Sequence, residues 1–315
     1  MTAEHYTPAA GLFDAWADDV LHGKPPELWT PGAGFHSVEL GPGLVVLVGG
    51  APGAGKTALA MQWTVDALRA DESLRVLVAN VEMHPRTLLD RQLARLAGVD
   101  ASWIRKRMLA GQEFRVRAGL DELRRVAGRL AFHTGPPVLA DVARSVDAFG
   151  ARFLVADYVQ RFTIGTGDAL DRRAELDGIM GHLRRFADAG LGVLAVSAVA
   201  RQKGRTGSNY AGLGLASFRG SSELEYGADS CWTLSRDDAP DQWGAVNLTC
   251  QKNRHGETPS LLLTFDAARQ TFTVANTGGG TAGAVTVPAR VSAVPDAFDL
   301  GGAPYDDGDG EDGLF

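Results

Sequence analysis

The chain has 315 residues, 45% of them apolar, which is enough to bury a full core in one large α/β domain with appendages. Its formal charge of −7 is concentrated: residues 296–315 hold seven acidic groups and no basic one, so the remainder is neutral, with 31 of each sign. No apolar run approaches a membrane span, and the start lacks the basic-then-apolar pattern of a secretion signal. Cys231 and Cys250 have no paired spacing for metal or redox work, and are expected as buried free thiols in a reducing cytoplasm. An acidic total does not exclude nucleic acid, but binding would have to come from a local basic surface.

Residues 11–22, GLFDAWADDVLH, set Leu12, Phe13, Trp16 and Val20 on one helical stripe, and Gly23, Pro25 and Pro26 then break the pattern. This is a short amphipathic helix on a tether. It either folds back on its own domain or docks on a neighbouring subunit, and the sequence leaves both open.

The run LVVLVGGAPGAGKTAL from Leu44 to Leu59 reads as a strand, a glycine-rich turn and a helix start. Gly50, Gly55, Lys56 and Thr57 satisfy G-x-x-x-x-G-K-[ST], the nucleotide phosphate loop. Glycines permit the backbone angles and close approach the loop needs. The N–H groups of Gly50, Ala51, Pro52, Gly53, Ala54, Gly55, Lys56, Thr57 and Ala58, less that of the proline, form the expected cradle at a helix N-terminus. Lys56 would neutralise the terminal phosphates, and the Thr57 hydroxyl would ligate Mg²⁺.

Apolar strands then alternate with longer helical stretches. Strands are expected at 44–48, 75–81, 152–156 and 192–196, and helices at 56–69, 85–97, 113–130, 138–149 and 170–189. Near-continuous apolar strands imply burial on both faces and a parallel sheet. Each strand ends at a residue with chemical potential, namely Gly49–Gly50, Glu82, Asp157 and Ser197, and ligands of open α/β sheets sit at that edge. From Ser230 onward, residues 231–234, 245–251, 261–265 and 271–274 read as antiparallel strands that extend the sheet. Residues 277–315 lack the apolar content to fold.

Asp157 closes the strand RFLVAD, as the Mg²⁺-holding carboxylate of a Walker B motif does; a capping aspartate before a turn is the competing reading. Glu82, in NVEM, sits where a carboxylate can polarise the water that attacks a γ-phosphate, and a merely solvated glutamate is the alternative. Residues 199–217 form a glycine-rich loop carrying Arg201, Lys203 and Arg205, charges suited to a phosphate backbone, with Tyr210 able to stack a base. Such a loop would fix affinity without reading sequence. Lys252-Asn253-Arg254-His255-Gly256 lies between two expected strands, with a tight turn at 253–256. Its two cations are either a solvated hairpin tip or charge donors to a neighbouring subunit's nucleotide, and spacing does not decide.

The order of these motifs resembles the C-terminal, RecA-like ATPase domain of DnaB-type replicative helicases and related plasmid and phage ATPases over residues 27–275. GGAPGAGKTALA, NVEM, ADYVQ, SFRGSSELEYGAD and QKNRHGETP carry the resemblance. It implies a RecA-like P-loop fold, with a mainly parallel sheet flanked by helices and antiparallel strands added on the C-terminal side. It implies ATP and Mg²⁺ as cofactors, a homo-hexameric ring with ATP sites between subunits, and translocation on single-stranded DNA. By position, Lys56 and Thr57 would bind phosphate and Mg²⁺, Asp157 Mg²⁺, and Glu82 would be the catalytic base. Lys252 and Arg254 would act in trans, and the loops after Asp157 and Ser197 would face the channel. The domains expected are a linker helix and tether (1–26), the ATPase domain (27–276) and a disordered acidic tail (277–315).

Three departures stand out. Ala198 replaces the family's glutamine after the serine of the fourth strand motif. Arg219 matches, but Ser217 stands where an acidic residue is expected. The resemblance does not extend to the family's N-terminal primase-interacting domain, so recruitment of primase in the usual way is not expected. The tail ends EDGLF, similar to the acidic, Phe-terminated tips by which single-strand binding proteins dock replication partners; a solubilising tail is the plainer account. A DnaB-type helicase is the first reading. A RecA/KaiC-like, nucleotide-gated DNA-binding or loading ATPase that does not separate strands is the alternative.

Overall fold

The computed structural model describes residues 6–165, 172–199, 226–236 and 244–275. Its centre is a nine-stranded sheet in the order β3-β2-β4-β5-β1-β6-β7-β8-β9. The strands are β1 (Val45–Gly50), β2 (Val76–Asn80), β3 (Leu130–Phe132), β4 (Phe153–Asp157), β5 (Gly192–Ala198), β6 (Ser230–Arg236), β7 (Ala245–Asn253), β8 (Ser260–Asp266) and β9 (Thr271–Val274). The first six in chain order pair in parallel and the last three add antiparallel.

Successive side chains of β1 enter opposite cores. Val46 and Val48 pack with Leu59, Trp63 and Leu68 of α2 (Lys56–Ala70) on one face. Val45 and Leu47 pack with Leu176, Ile179 and Leu183 of α7 (Arg172–Asp188) on the other, beside α6 (Leu139–Phe149). Burial on both faces is why these strands are continuously apolar. A third cluster joins α3 (Pro85–Ala97), α4 (Ala101–Lys106) and α5 (Glu113–Ala127) through Leu93, Ala94, Ile104, Val116 and Leu123. Arg95 of α3 reaches Asp66 of α2 with both terminal nitrogens, at 3.1 and 3.0 Å, and its Nε donates to Gln92 at 2.8 Å.

Several local expectations need correction. Residues 231–234 pair antiparallel with β7 as expected, Leu234 lying opposite Leu248, but on its other edge β6 runs parallel to β1, with Val46 opposite Ser230 and Gly50 opposite Leu234. The more than thirty residues between β5 and β6 are a crossover long enough to return the chain in the same direction. The helix expected over 113–130 stops at Ala127, beside Gly128, and Leu130–Phe132 forms the edge strand β3 instead. The short α4, capped by the Asp100 carboxylate on the Ser102 N–H at 2.7 Å, has too few residues to show a period. The turn near 253–256 exists, but not as a tight hairpin. β7 overhangs β8, because Thr249 pairs with Ser260 while Asn253 pairs back to Ser230.

The added strands close over α2 rather than trailing from the sheet. Gln62 of α2 pairs its side-chain amide with the backbone of Phe272, donating to the carbonyl at 2.8 Å and accepting from the N–H at 2.9 Å. The Phe265 and Phe272 rings stack at 4.2 Å beside Gly55. None of the residues of α1 (Ala10–His22) is buried, so among the described residues it does not fold back on its own domain. No described helix is long and apolar enough to cross a membrane. Cys231 and Cys250 are buried thiols that form no disulfide.

Candidate functional site

The carboxyl ends of β1, β2, β4 and β5 come together by register: Gly50 lies opposite Ala198, Gly49 opposite Ser197, and Asn80 opposite Asp157. A cavity of about 540 Å³ opens there. It is lined by Pro52, Gly53, Gly55, Lys56, Thr57, Ala58, Glu82, Met83, Asp157, Ala198 and residues from the antiparallel arm. Gly53 and Gly55 adopt φ of 77° and 99°, angles an L side chain resists. A Cβ on Gly55 would also meet the Phe272 ring at 2.7 Å, and one on Gly50 the Leu234 carbonyl at 2.6 Å. The loop thus keeps its glycines for conformation and for close packing.

Lys56 Nζ donates to the carbonyls of Gly50 and Ala51 at 2.8 and 2.9 Å, which draws the ammonium over its own loop. Burial lowers its pKa, and the fields of Asp157 and Glu82 oppose that. Asp157 is buried at 4% exposure. Its carboxyl is pushed up chiefly by that burial and further by Glu82, against hydrogen bonds from Thr57 and Asn80 and the charge of Lys56. A buried carboxylate hydrogen-bonded to a threonine hydroxyl is an all-oxygen, anionic donor set, and it fits a hard divalent ion such as Mg²⁺. Glu82 does not end its strand as expected. β2 stops at Asn80, and Glu82 stands exposed on the following turn, still facing the cavity.

Sequence reasoning missed four features of this site. Arg91 of α3 lines the cavity half-buried, its pKa lowered by desolvation and supported by the charge of Asp157; a lone arginine in a helix carries no signal in the sequence. Arg236, Phe265 and Gln270 of the antiparallel arm also line the cavity, with the Arg236 guanidinium 5.5 Å above the Phe265 ring. Asn80 holds both Asp157 and the Glu82 turn. Gln160 grips the backbone of Ala198, its Nε2 donating to the carbonyl at 3.0 Å and its Oε1 accepting from the N–H at 3.1 Å.

Lys252 and Arg254 do not join the cavity. Asn253 pairs with Ser230, which pairs with Val46, so the segment lies at the amino edge of the parallel strands, opposite the phosphate loop. Lys252 Nζ donates to the Ala228 carbonyl at 2.8 Å. Arg254 donates to Asp229 at 3.2 Å and to the Tyr226 carbonyl. Arg201, Lys203, Arg205, Tyr210, Ser217, Arg219 and the acidic tail lie outside the described residues. A larger cleft of about 980 Å³, between α2, α3 and α5, is lined by arginines already engaged: Arg95 and Arg69 on Asp66, and Arg129 on the carbonyls of Asp71 and Leu74.

A phosphate loop leading into a helix, at the carboxyl edge of a parallel sheet extended by antiparallel strands, defines a P-loop nucleotide-binding protein of the RecA-like class. Residues 33–274 match the DnaB-like helicase C terminal domain, and the chain belongs to that family. Comparison with solved structures supports the same fold. One solved structure, itself an isolated ATPase domain, superposes with a TM-score of 0.72 at 18% identity, covering 85% of this chain and 99% of that one. A DnaB-like replicative helicase, described with its interactions with primase, gives 0.71 at 18% identity, covering 86% of this chain and 67% of that one. No curated protein matches.

Proposed function

We propose that this chain is an ATP hydrolase that works as a DnaB-type DNA helicase, with its active sites between subunits of a homo-hexameric ring. The observation that carries the proposal is the convergence of Lys56, Thr57, Asp157 and Glu82 on one cavity beneath the phosphate loop. The loop and Lys56 bind the triphosphate, and Thr57 and Asp157 hold Mg²⁺, which supplies charge neutralisation on the phosphates when bound. Glu82 orients and polarises the attacking water. Lys252 and Arg254 reach the nucleotide of the adjacent subunit, since their place at the opposite sheet edge keeps them from their own. β5 leads directly toward the segment bearing Arg201, Lys203 and Arg205, which contact single-stranded DNA, and residues 1–26 link neighbouring subunits.

The test is DNA-stimulated ATP hydrolysis together with unwinding of a forked duplex. Lys56→Ala should abolish both. Glu82→Gln should lower kcat by about 10²–10⁴-fold while nucleotide still binds. Full hydrolysis by Glu82→Gln would rule out its role as the base. A second reading, a nucleotide-gated DNA-binding or loading ATPase, draws on Ala198. That residue lines the cavity without a side chain able to reach a phosphate, and its backbone is held by Gln160. DNA-stimulated hydrolysis without a displaced strand would favour it.

A further inference from the structure

We infer that Asn80 is a positioning residue that sets the Mg²⁺-holding carboxylate and the catalytic glutamate through one side-chain amide. It rests on the hydrolase reading above. Asn80 is the last residue of β2 and stands in register with Asp157 on β4. Its Nδ2 donates to Asp157 Oδ2 at 2.7 Å. Its Oδ1 accepts from the N–H groups of Glu82 at 2.9 Å and Met83 at 2.7 Å, closing an Asx turn. Asn80 is not among the residues lining the cavity, whereas both groups it holds are.

The chemistry of the amide explains the residue type. A carboxamide donates on one atom and accepts on another, so it can reach a carboxylate on one side and two backbone N–H groups on the other at once. Aspartate would set a second negative charge against Asp157, and leucine would leave the turn's N–H groups without their acceptor. The Glu82 side chain is exposed, so its direction follows from the turn beneath it rather than from packing. Asp157, being buried, needs donors to stay charged and oriented. Residues that orient metal-holding carboxylates typically cost about 10–100-fold in metal affinity or activity when removed.

The experiment compares the parent protein with Asn80→Ala and Asn80→Ser in three measurements: kcat for ATP hydrolysis, affinity for a fluorescent ATP analogue in EDTA, and the gain in that affinity on adding Mg²⁺. In Asn80→Ala, kcat should fall about 10–100-fold and the Mg²⁺-dependent gain should shrink, with affinity in EDTA within about twofold of the parent. In Asn80→Ser the hydroxyl still accepts from the turn but does not span to Asp157, so kcat should recover severalfold over Asn80→Ala while the Mg²⁺-dependent gain stays small. Parent-like values of kcat and Mg²⁺-dependent gain in either variant would overturn the inference. So would an equal loss of affinity in EDTA, which would mark a merely structural role. A parent protein unable to hydrolyse ATP would sink the hydrolase reading instead, and the Mg²⁺-dependent gain in binding would still decide whether Asn80 sets Asp157.

Discussion

Asp157 shows how much a single buried charge is asked to do. Burial raises its pKa in the folded chain, so the fold holds that proton more tightly than the unfolded chain does. Stability from this group is therefore present below the ordinary carboxylate range and is lost as pH rises through the raised value. Asp157→Asn removes the charge, and its side-chain carbonyl still accepts from Asn80. In the absence of nucleotide the variant should melt above the parent at pH 8, with the gap closing as the solution is acidified. Each kcal/mol of relief is worth about 2–4 °C in a domain of this size. Nucleotide alone should still raise its Tm, but adding Mg²⁺ should no longer raise it further. A variant less stable than the parent at pH 8 would mean that the ionised carboxylate is already well compensated. Lys56 displays the complementary logic: burial lowers its pKa while the charges of Asp157 and Glu82 act against that shift, so the three groups depend on one another.

Two elements make contrasting predictions. α3 presents Arg91 to the cavity, and its placement depends on the Arg95–Asp66 pair that fastens it to α2. Both partners are largely buried, with side-chain exposures of 8% and 14%. Asp66→Ala strands a desolvated guanidinium and should cost about 3–5 kcal/mol in chemical denaturation. A loss under about 1 kcal/mol would show that water reaches Arg95. α1 is the opposite case. Its apolar stripe of Leu12, Phe13, Trp16 and Val20 is exposed, Trp16 at 58%, so the stripe contributes little to the monomer. Trp16→Ala should change monomer stability by no more than about 0.5 kcal/mol while lowering the assembled fraction in sedimentation. A destabilised monomer with unchanged assembly would place the helix on its own domain after all.

At the scale of the whole molecule, the phosphate loop and the Lys252–Arg254 pair occupy opposite edges of one sheet. Under the ring proposed above, in which that pair acts on a neighbour's nucleotide, a complete site needs two copies. Lys56→Ala and Arg254→Ala should each be inactive alone. An equal mixture assembling at random should restore about a quarter of the sites, those pairing an intact loop with an intact Arg254. Hydrolysis by the Arg254→Ala protein alone at the parent's rate would refute action in trans.

How much of this was legible beforehand follows from the range of each signal. The loop at 50–57, the alternation of strand and helix, and the carboxylate ending β4 are written within a dozen residues each. Glycine conformation, apolar period and motif spacing are local properties, so the chain announces them unaided. The direction of β6, the union of Asn80 with an aspartate 77 positions away, the arrival of Arg91 and Phe265 at the cavity, and the exile of Arg254 from it are not local. They depend on which distant strands pair and in what register, and that is settled only when both faces of the sheet are buried at once.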